Sequence, residues 1–375
     1  MFFNYYLKEY YDYLLTFLYI EIYTIIMENS RLLWVDWIKF LAIFGVIGIH
    51  VSSSLLNSKI LFSLEWYQGV FASSLFRFGI ILFIMASGYL ILRRQQSIYE
   101  IPKRIKRVFL PFIFWLVVYA VIKVIVLKEL GPSWNIIDLF VFMFKGLLDP
   151  TIVSIQFWYV YMIIGLYILS PLLSRWIQNA PINEIEYALG IWIIVSCLQF
   201  VYIDSILIDY LRYFTGAIGY FILGYYLTIK RDAWFQDRTF GLMLFLIGTL
   251  ITFLGTVSFS ILMGDQSLFF IRLGDITPGA CLQGVGLFIF VYNSNFDMLN
   301  EKINNVVVEL SKTSYGIYLC NILVIKFFEK IHLINLNGFT LVMIFLSIIL
   351  VLIVSTIGIE VMDRIPVLKL FSGKS

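Results

Sequence analysis

Charged residues are scarce in this sequence: lysine, arginine, aspartate and glutamate together make up only 14% of its 375 residues. A soluble domain carries about 25% charged residues, so this scarcity argues against a large soluble protein. Hydrophobic residues reach 61% instead, and apolar stretches of about 20 residues, long enough to cross a bilayer, recur along the chain. The composition predicts an all-α fold, a polytopic membrane helical bundle.

Motifs of several enzyme classes are also missing. The sequence has no GxxxxGK[ST], GxGxxG or HExxH motif, so ATP hydrolysis, dinucleotide binding and zinc-dependent hydrolysis have no support. The three cysteines, Cys197, Cys281 and Cys320, form no CxxC pair and predict neither a disulfide framework nor a metal site. The net charge of +3 says little about partners. We expect no metal cofactor and no nucleic-acid partner.

About ten transmembrane helices are predicted from residue 31 onward. They lie at about 33–55, 69–92, 108–128, 156–174, 185–203, 211–229, 239–262, 273–293, 312–330 and 339–359. Lysine and arginine concentrate in alternate loops, most clearly in residues 93–107, which hold six basic side chains. Because cytoplasmic loops carry this bias, both termini are predicted to be cytoplasmic.

Two segments fall outside this pattern. Residues 133–155 contain an apolar patch of about a dozen residues, too few to span, and predict an outer interfacial or re-entrant helix that forms a lid. Residues 1–30 form a tyrosine-rich N-terminal extension without the basic start and cleavage site of a signal peptide. This extension is either an interfacial amphipathic helix or sequence upstream of a translation start at Met27.

Two basic residues in the first predicted span share one helix face. Lys39 and His50 are eleven residues apart, which is about three turns and roughly 16 Å along a helix axis. Asp36 can pair with Lys39 across one turn. His50 is the sole histidine inside a predicted span. Its imidazole either hydrogen-bonds a neighbouring helix or transfers protons near neutral pH.

Other polar residues add to this pattern. Arg77 lies in the second predicted span, near the depth of the histidine, and either snorkels to the interface or lines a cavity. Ser87 and Gly88 predict either a close helix contact or a passage for a substrate chain. Arg104 and Arg107 belong to a basic cluster that either binds anionic lipid headgroups or docks a phosphorylated cofactor.

These motifs, in this order, resemble the integral-membrane acyltransferase 3 family over about residues 30–360. Its members open with an aspartate, a following basic residue and, eleven positions later, a histidine, which here fall on Asp36, Lys39 and His50. The further matches are Ser87, Gly88 and Tyr89 in the second span, Arg104, Arg107 and Pro111 in and after the basic cluster, and SYGIYL at 314–319. Many relatives continue the last signature with a histidine where this chain has Asn321, which cannot take up a proton.

The resemblance implies a membrane O-acyltransferase that moves an acyl group, with acetyl the first expectation, from cytoplasmic acyl-CoA to a carbohydrate hydroxyl. Arg104 and Arg107 would bind the CoA phosphates, and Lys39 would steer the pantetheine or the thioester. His50 would act as general base or carry the acyl group transiently. Arg77 would stabilise the oxyanion.

On this interpretation residues 31–360 form the membrane acyltransferase domain and residues 361–375 a cytoplasmic tail. The expected partners are acetyl-CoA or another acyl-CoA, a cell-surface polysaccharide or lipid-linked sugar, and the lipid bilayer of the cell membrane. The main alternative is an exporter of such a glycan without acyl chemistry, since embedded charges suit transporters as well. A third interpretation is a structural membrane subunit. The sequence carries no information on the acceptor glycan or the oligomeric state.

Overall fold

Helices form nearly all of the described structure. A computed structural model describes residues 32–56, 60–126, 131, 134–201, 216–230, 237–264, 277–296, 298–333 and 341–374, and no β-strand occurs among them. This agrees with the predicted all-α fold. The predicted extension at 1–30 lies outside the described residues, and Trp34 to Ser375 belong to one structural unit.

Each predicted span falls on one or two of the observed α-helices. In chain order these are α1 (Leu33–Leu56), α2 (Leu64–Leu75), α3 (Gly79–Leu92), α4 (Ile101–Ile125), α5 (Ile136–Leu148), α6 (Trp158–Asn179), α7 (Ile182–Val201), α8 (Ala217–Ile229), α9 (Arg238–Met263), α10 (Pro278–Tyr292), α11 (Glu301–Lys330) and α12 (Leu341–Arg364). Among the described residues, six stretches are long and apolar enough to cross a membrane: Leu33–Ser53, Leu64–Leu92, Ile98–Ile125, Ile155–Asn179, Arg238–Leu262 and Leu341–Arg364. The protein is therefore a helical membrane bundle, while ten crossings and cytoplasmic termini remain predictions.

The second predicted span is interrupted. The predicted span at 69–92 falls within an apolar stretch, Leu64–Leu92, that is long enough to cross a membrane. The stretch is not one continuous helix: α2 ends at Leu75, α3 begins at Gly79, and residues 76–78 form a turn. The Gly79 N–H donates to the Phe76 carbonyl at 3.4 Å across this turn. Within a membrane, such interruptions occur where the freed backbone groups face protein or a water-filled cavity.

Helix α1 passes this interruption at close range. A Cβ atom added to Gly79 would lie 2.7 Å from the backbone nitrogen of Val46, and one added to Gly45 would lie 2.7 Å from Cε2 of Phe78. Glycines therefore allow a backbone approach that larger residues would block. Because apolar residues flank Arg77 on both sides, hydropathy alone does not reveal the break.

Small residues also join α3 to α8. A side chain at Gly88 would collide with the backbone of Phe221, and one at Gly224 would collide with the backbone of Met85. Gly88 thus makes the close helix contact that the sequence predicted as one of its two roles. Because lipid tails are as apolar as the helix surfaces, the hydrophobic effect does not drive transmembrane helices together. Close packing is therefore a main source of helix association in a membrane.

Residues 133–155 do contain a helix, α5. Asn135 and Asp138 form a capping box at its start, and the Tyr161 hydroxyl donates to the Leu147 carbonyl at 2.6 Å near its end. Its exposed side chains are largely apolar, with Ile136, Ile137, Phe140, Phe144 and Leu148 at least 60% exposed. An apolar exposed face suits a helix at a membrane interface, and its role as an outer lid remains a prediction.

The described end of the chain folds against the bundle. After α12, a short 3-10 helix at Leu368–Phe371 places Phe371 on the ring of Phe114 in α4, with centroids 5.1 Å apart. Lys374 Nζ lies 2.7 and 2.8 Å from the two carboxylate oxygens of Glu360. Partial burial lowers the pKa of Lys374, but the interaction with Glu360 outweighs burial and raises that pKa overall.

The contact between α3 and α8 predicts an asymmetry between two glycine substitutions. Gly88→Leu should destabilise the protein by about 1–3 kcal/mol or more, because overpacking a tight contact forces backbone shifts. Gly190→Leu in α7 is the matched control, since nothing lies within 4 Å of a Cβ at that position. Thermal melting midpoints in detergent compare the two, and equal shifts would contradict the contact.

Candidate functional site

Helix α1 carries two of the predicted site residues on one face. Because α1 is uninterrupted from Leu33 to Leu56, Lys39 and His50 lie on the same side, roughly 16 Å apart along its axis. His50 is partly accessible, while Ile49 and Val51 on either side are buried. Lys39 is partly accessible as well.

Arg77 lies close to His50 at the interruption of the second span. The two side chains are near enough to interact electrostatically, and Arg77 is only 6% exposed. Its Nη2 donates to the Ser73 hydroxyl at 3.2 Å, one turn earlier in α2. The guanidinium therefore stays inside the bundle, whereas snorkelling would take it to the interface. The two residues predicted to carry the chemistry therefore lie within electrostatic range of each other.

Gln283 in α10 supports this arrangement, and sequence reasoning missed it. Its side chain is fully buried, and Nε2 donates to the Ser74 carbonyl at 2.6 Å and to the Thr249 hydroxyl at 2.8 Å. The Ser74 carbonyl is among the last four of α2, which lack a partner within that helix. Gln283 therefore caps α2 just before Arg77. A lone glutamine in the run PGACLQGVGLFIFVY was the available signal.

Asp36 ties the start of α1 to α11. The carboxylate is 4% exposed and accepts a hydrogen bond from the Ser311 hydroxyl at 2.5 Å, and Ser311 is itself 1% exposed. Hydrogen bonds to charged groups contribute about 1.5–3 kcal/mol, so this contact fixes the register of the two helices. Pairing of Asp36 with Lys39 stays a prediction.

Asn321 lies in the same helix α11 and is fully buried. Its Nδ2 donates to the carbonyls of Ile317 and Tyr318 at 3.1 and 2.6 Å. Its Oδ1 has no hydrogen-bond partner among the described residues. Nearby in the chain, the Leu323 N–H donates to the hydroxyl of Tyr119 in α4 at 2.9 Å. Asn321 thus offers a buried acceptor without the ability to take up a proton.

Ser87 faces a tyrosine of α6. It is partly accessible and lies within hydrogen-bonding reach of the Tyr159 hydroxyl, while its neighbour Gly88 packs on α8. The two adjacent residues therefore face different helices, as expected from the rotation of about 100° between successive residues. Ser87 is the member of this pair that contributes a hydroxyl to the interior.

The arginine pair forms a second group, in the first two turns of α4. Arg104 Nη2 lies 2.9 Å from Glu100 Oε2 and also hydrogen-bonds the Gln96 carboxamide. Arg107, three residues later and therefore on the same face, is exposed. Tyr167 in α6 lies within electrostatic reach of both guanidinium groups. The structure thus places His50 within electrostatic range of Arg77, and Arg104 and Arg107 on one face of α4.

The described residues contain no cluster of side chains suited to bind a metal ion. Among the residues that the structure describes, no three or more histidine, cysteine, aspartate or glutamate side chains are grouped so that they could hold a metal ion. The three cysteines are free. The chemistry that these residues can supply is proton transfer by the imidazole, charge stabilisation by guanidinium groups, and hydrogen bonding by tyrosine, serine and amide groups.

A helical membrane bundle that buries an arginine within electrostatic range of a histidine is a polytopic membrane protein with polar groups in its interior. The chain belongs to the acyltransferase 3 family, whose model, described as an acyltransferase domain, matches residues 32–360. It is therefore a membrane acyltransferase by family. No curated protein and no solved structure gives a significant match to the chain.

The cap on α2 predicts a graded effect of two substitutions. Gln283→Leu removes both hydrogen bonds and leaves the Ser74 carbonyl without this donor, which should cost about 1–3 kcal/mol of stability. Thr249→Val removes only one acceptor and should cost less. Melting midpoints and turnover, measured on the same detergent samples, check this order, and equal losses from both substitutions would contradict the cap.

Proposed function

We propose that this protein transfers an acyl group, acetyl as the first candidate, from cytoplasmic acyl-CoA to a hydroxyl of a cell-surface or lipid-linked carbohydrate at the cell membrane. The observation that carries the proposal is the proximity of His50 and Arg77 inside the bundle. Ionisable side chains inside a membrane bundle are energetically costly, and such residues commonly mark functional sites. Family membership supplies the reaction class.

The chemistry proposed for this pair is acyl transfer to oxygen. His50 removes the proton of the acceptor hydroxyl while its oxygen attacks the thioester carbonyl, the C–S bond breaks, and the CoA thiolate leaves and takes up a proton. In a second version, His50 carries the acyl group between the two substrates. Arg77 is placed to stabilise the negative charge that develops on the carbonyl oxygen in either version.

The donor is proposed to enter from the side of the arginine pair. Two guanidinium groups on one helix face match the geometry of phosphate groups, and Arg104 and Arg107 fit that role. A bound phosphate would compete with Glu100 for Arg104, since that carboxylate holds Nη2 at 2.9 Å. Lys39, on the face of α1 that carries His50, is proposed to steer the thioester toward the imidazole.

Loss of the imidazole tests this function most simply. His50→Gln should reduce acyl-CoA-dependent release of free CoA by about 100- to 10,000-fold, the range that general acid–base catalysis contributes. His332→Gln is the matched control, because His332 lies after α11 and outside the site. Protein in nanodiscs, supplied with candidate glycan acceptors and a thiol reagent, provides the measurement. Full activity of a folded His50→Gln protein would contradict the proposal.

Donor binding is tested separately. Arg104→Gln and Arg107→Gln should each raise the KM for acyl-CoA by about 10- to 100-fold, because each removes a hydrogen bond to a charged group. Lys103→Gln, an exposed cation on the same turn, serves as control. If the wild-type protein neither binds nor consumes acyl-CoA, the donor role fails, and an exporter without acyl chemistry becomes the leading alternative.

A further inference from the structure

One buried glutamine connects the arginine pair to the interior of the bundle. Gln96 lies between α3 and α4 and is 2% exposed, whereas Gln95 beside it is exposed. Burying a carboxamide is costly unless its polar atoms are hydrogen-bonded, so the partners of Gln96 indicate its role. Sequence reasoning assigned no role to this residue.

The N–H groups of Gln96 hold it against two helices. Its Nε2 donates to the Ile91 carbonyl at 2.6 Å and to the Arg94 carbonyl at 2.9 Å. Its backbone N–H donates to the hydroxyl of Ser174 in α6 at 2.9 Å, and that serine is fully buried. Ile91 is in the last turn of α3, whose carbonyls have no partner inside the helix. Gln96 therefore caps α3 and ties the turn before α4 to α6.

The remaining polar atom of this side chain contacts the arginine pair. Oε1 of Gln96 accepts a hydrogen bond from Arg104 Nη2, the nitrogen that also contacts Glu100. Among the described residues, no hydrogen bond involves Nε or Nη1 of Arg104. One amino group of the guanidinium is thus fixed, while the other two nitrogens can donate to a phosphate.

A restrained arginine binds a ligand with a smaller loss of entropy. Immobilising a long side chain weakens binding, and a side chain that is already held in place loses less freedom. Glu100 contributes less to this restraint, because it is exposed and a phosphate would compete with it for the same nitrogen. The carboxamide of Gln96 is neutral, so it restrains Arg104 without cancelling its charge.

From these contacts we infer that Gln96 is a positioning residue for the donor: its buried carboxamide, anchored on α3 and α6, holds Arg104 in the orientation that binds a phosphate of acyl-CoA. The inference rests on the proposed function and extends it by the residue that presents the arginine.

Removal of the carboxamide tests this role. Gln96→Met keeps the length of the side chain but removes its hydrogen bonds. The KM for acyl-CoA and the dissociation constant of coenzyme A should each rise about tenfold, within the range of coupling between residues in contact. Because the reacting groups are untouched, kcat should stay within about twofold of the wild type. A fall in kcat alone would contradict the inference.

The matched control is a second glutamine at the same end of α3. Gln178 in α6 donates through Nε2 to the Leu92 carbonyl at 2.6 Å and to the Tyr225 hydroxyl at 3.1 Å. Among the described residues it makes no hydrogen bond to Arg104. Gln178→Met should therefore lower the melting midpoint as Gln96→Met does, while the dissociation constant of coenzyme A stays within about twofold of the wild type. Equal weakening of coenzyme A binding by both substitutions would overturn the inference.

A double-mutant cycle separates positioning from a general loss of structure. If Gln96 acts through Arg104, then Gln96→Met in an Arg104→Gln background should change the dissociation constant of coenzyme A by less than about twofold. A purely structural role would raise it about tenfold in both backgrounds. Such additivity, or an unchanged dissociation constant in the single variant, would refute the positioning role.

A second variant serves if Gln96→Met does not fold. Gln96→Glu keeps the size of the side chain and the oxygen that accepts from Arg104. Its carboxylate would pair with the guanidinium and repel a donor phosphate, so the dissociation constant should rise about tenfold or more. Unchanged binding of coenzyme A by Gln96→Glu would also refute the inference.

Two comparisons identify the cause of a failure. Wild-type protein that binds no coenzyme A would overturn the proposed function and this inference with it, whereas wild-type binding that both Gln96 variants leave intact would overturn the inference alone. A lipid headgroup is the other source of phosphate. The effect of Gln96→Met should be equal in nanodiscs of phosphatidylcholine and of phosphatidylglycerol, and an effect confined to the anionic lipid would assign Arg104 to lipid and overturn its role in donor binding.

Discussion

The close passage of α1 across the interrupted second span is the constraint on which the site depends. Two glycines, Gly45 and Gly79, let the backbones meet at a separation that a Cβ atom would prevent. Arg77 lies in the turn at this contact, within electrostatic range of His50. Because protein interiors do not deform continuously, a shift of either helix would separate the pair.

The interior around this contact distributes its polar groups so that the buried charges have partners. Ser73 accepts from Arg77, and Gln283 caps the helix that precedes it; Asp36 is held by Ser311 at the other end of α1. Each bond is modest in water, but leaving a buried polar group unpaired costs about 1–3 kcal/mol. These bonds therefore give the buried Arg77 and Asp36 side chains polar partners inside a membrane bundle.

The sequence was sufficient to predict helices at every proposed span. It also drew attention to His50 and Arg77, because ionisable residues in apolar runs are conspicuous, and their catalytic roles stay predictions. It did not show the break at residues 76–78, since the apolar run continues through it. It also missed Gln283. The role of this residue comes from a contact between helices distant in sequence, that of Gln283 with Ser74, and a lone glutamine in a span does not reveal its partner.

The central claim is that a donor bound at the arginine pair places its acyl group beside His50. Photo-crosslinking with an acyl-CoA analogue that carries a diazirine on the acyl chain, followed by peptide mass spectrometry, tests this directly. The account predicts adducts on the peptides that contain His50 or Arg77, and their loss when unlabelled acyl-CoA competes. Adducts confined to the segment around residues 93–107, or to lipid alone, would contradict it.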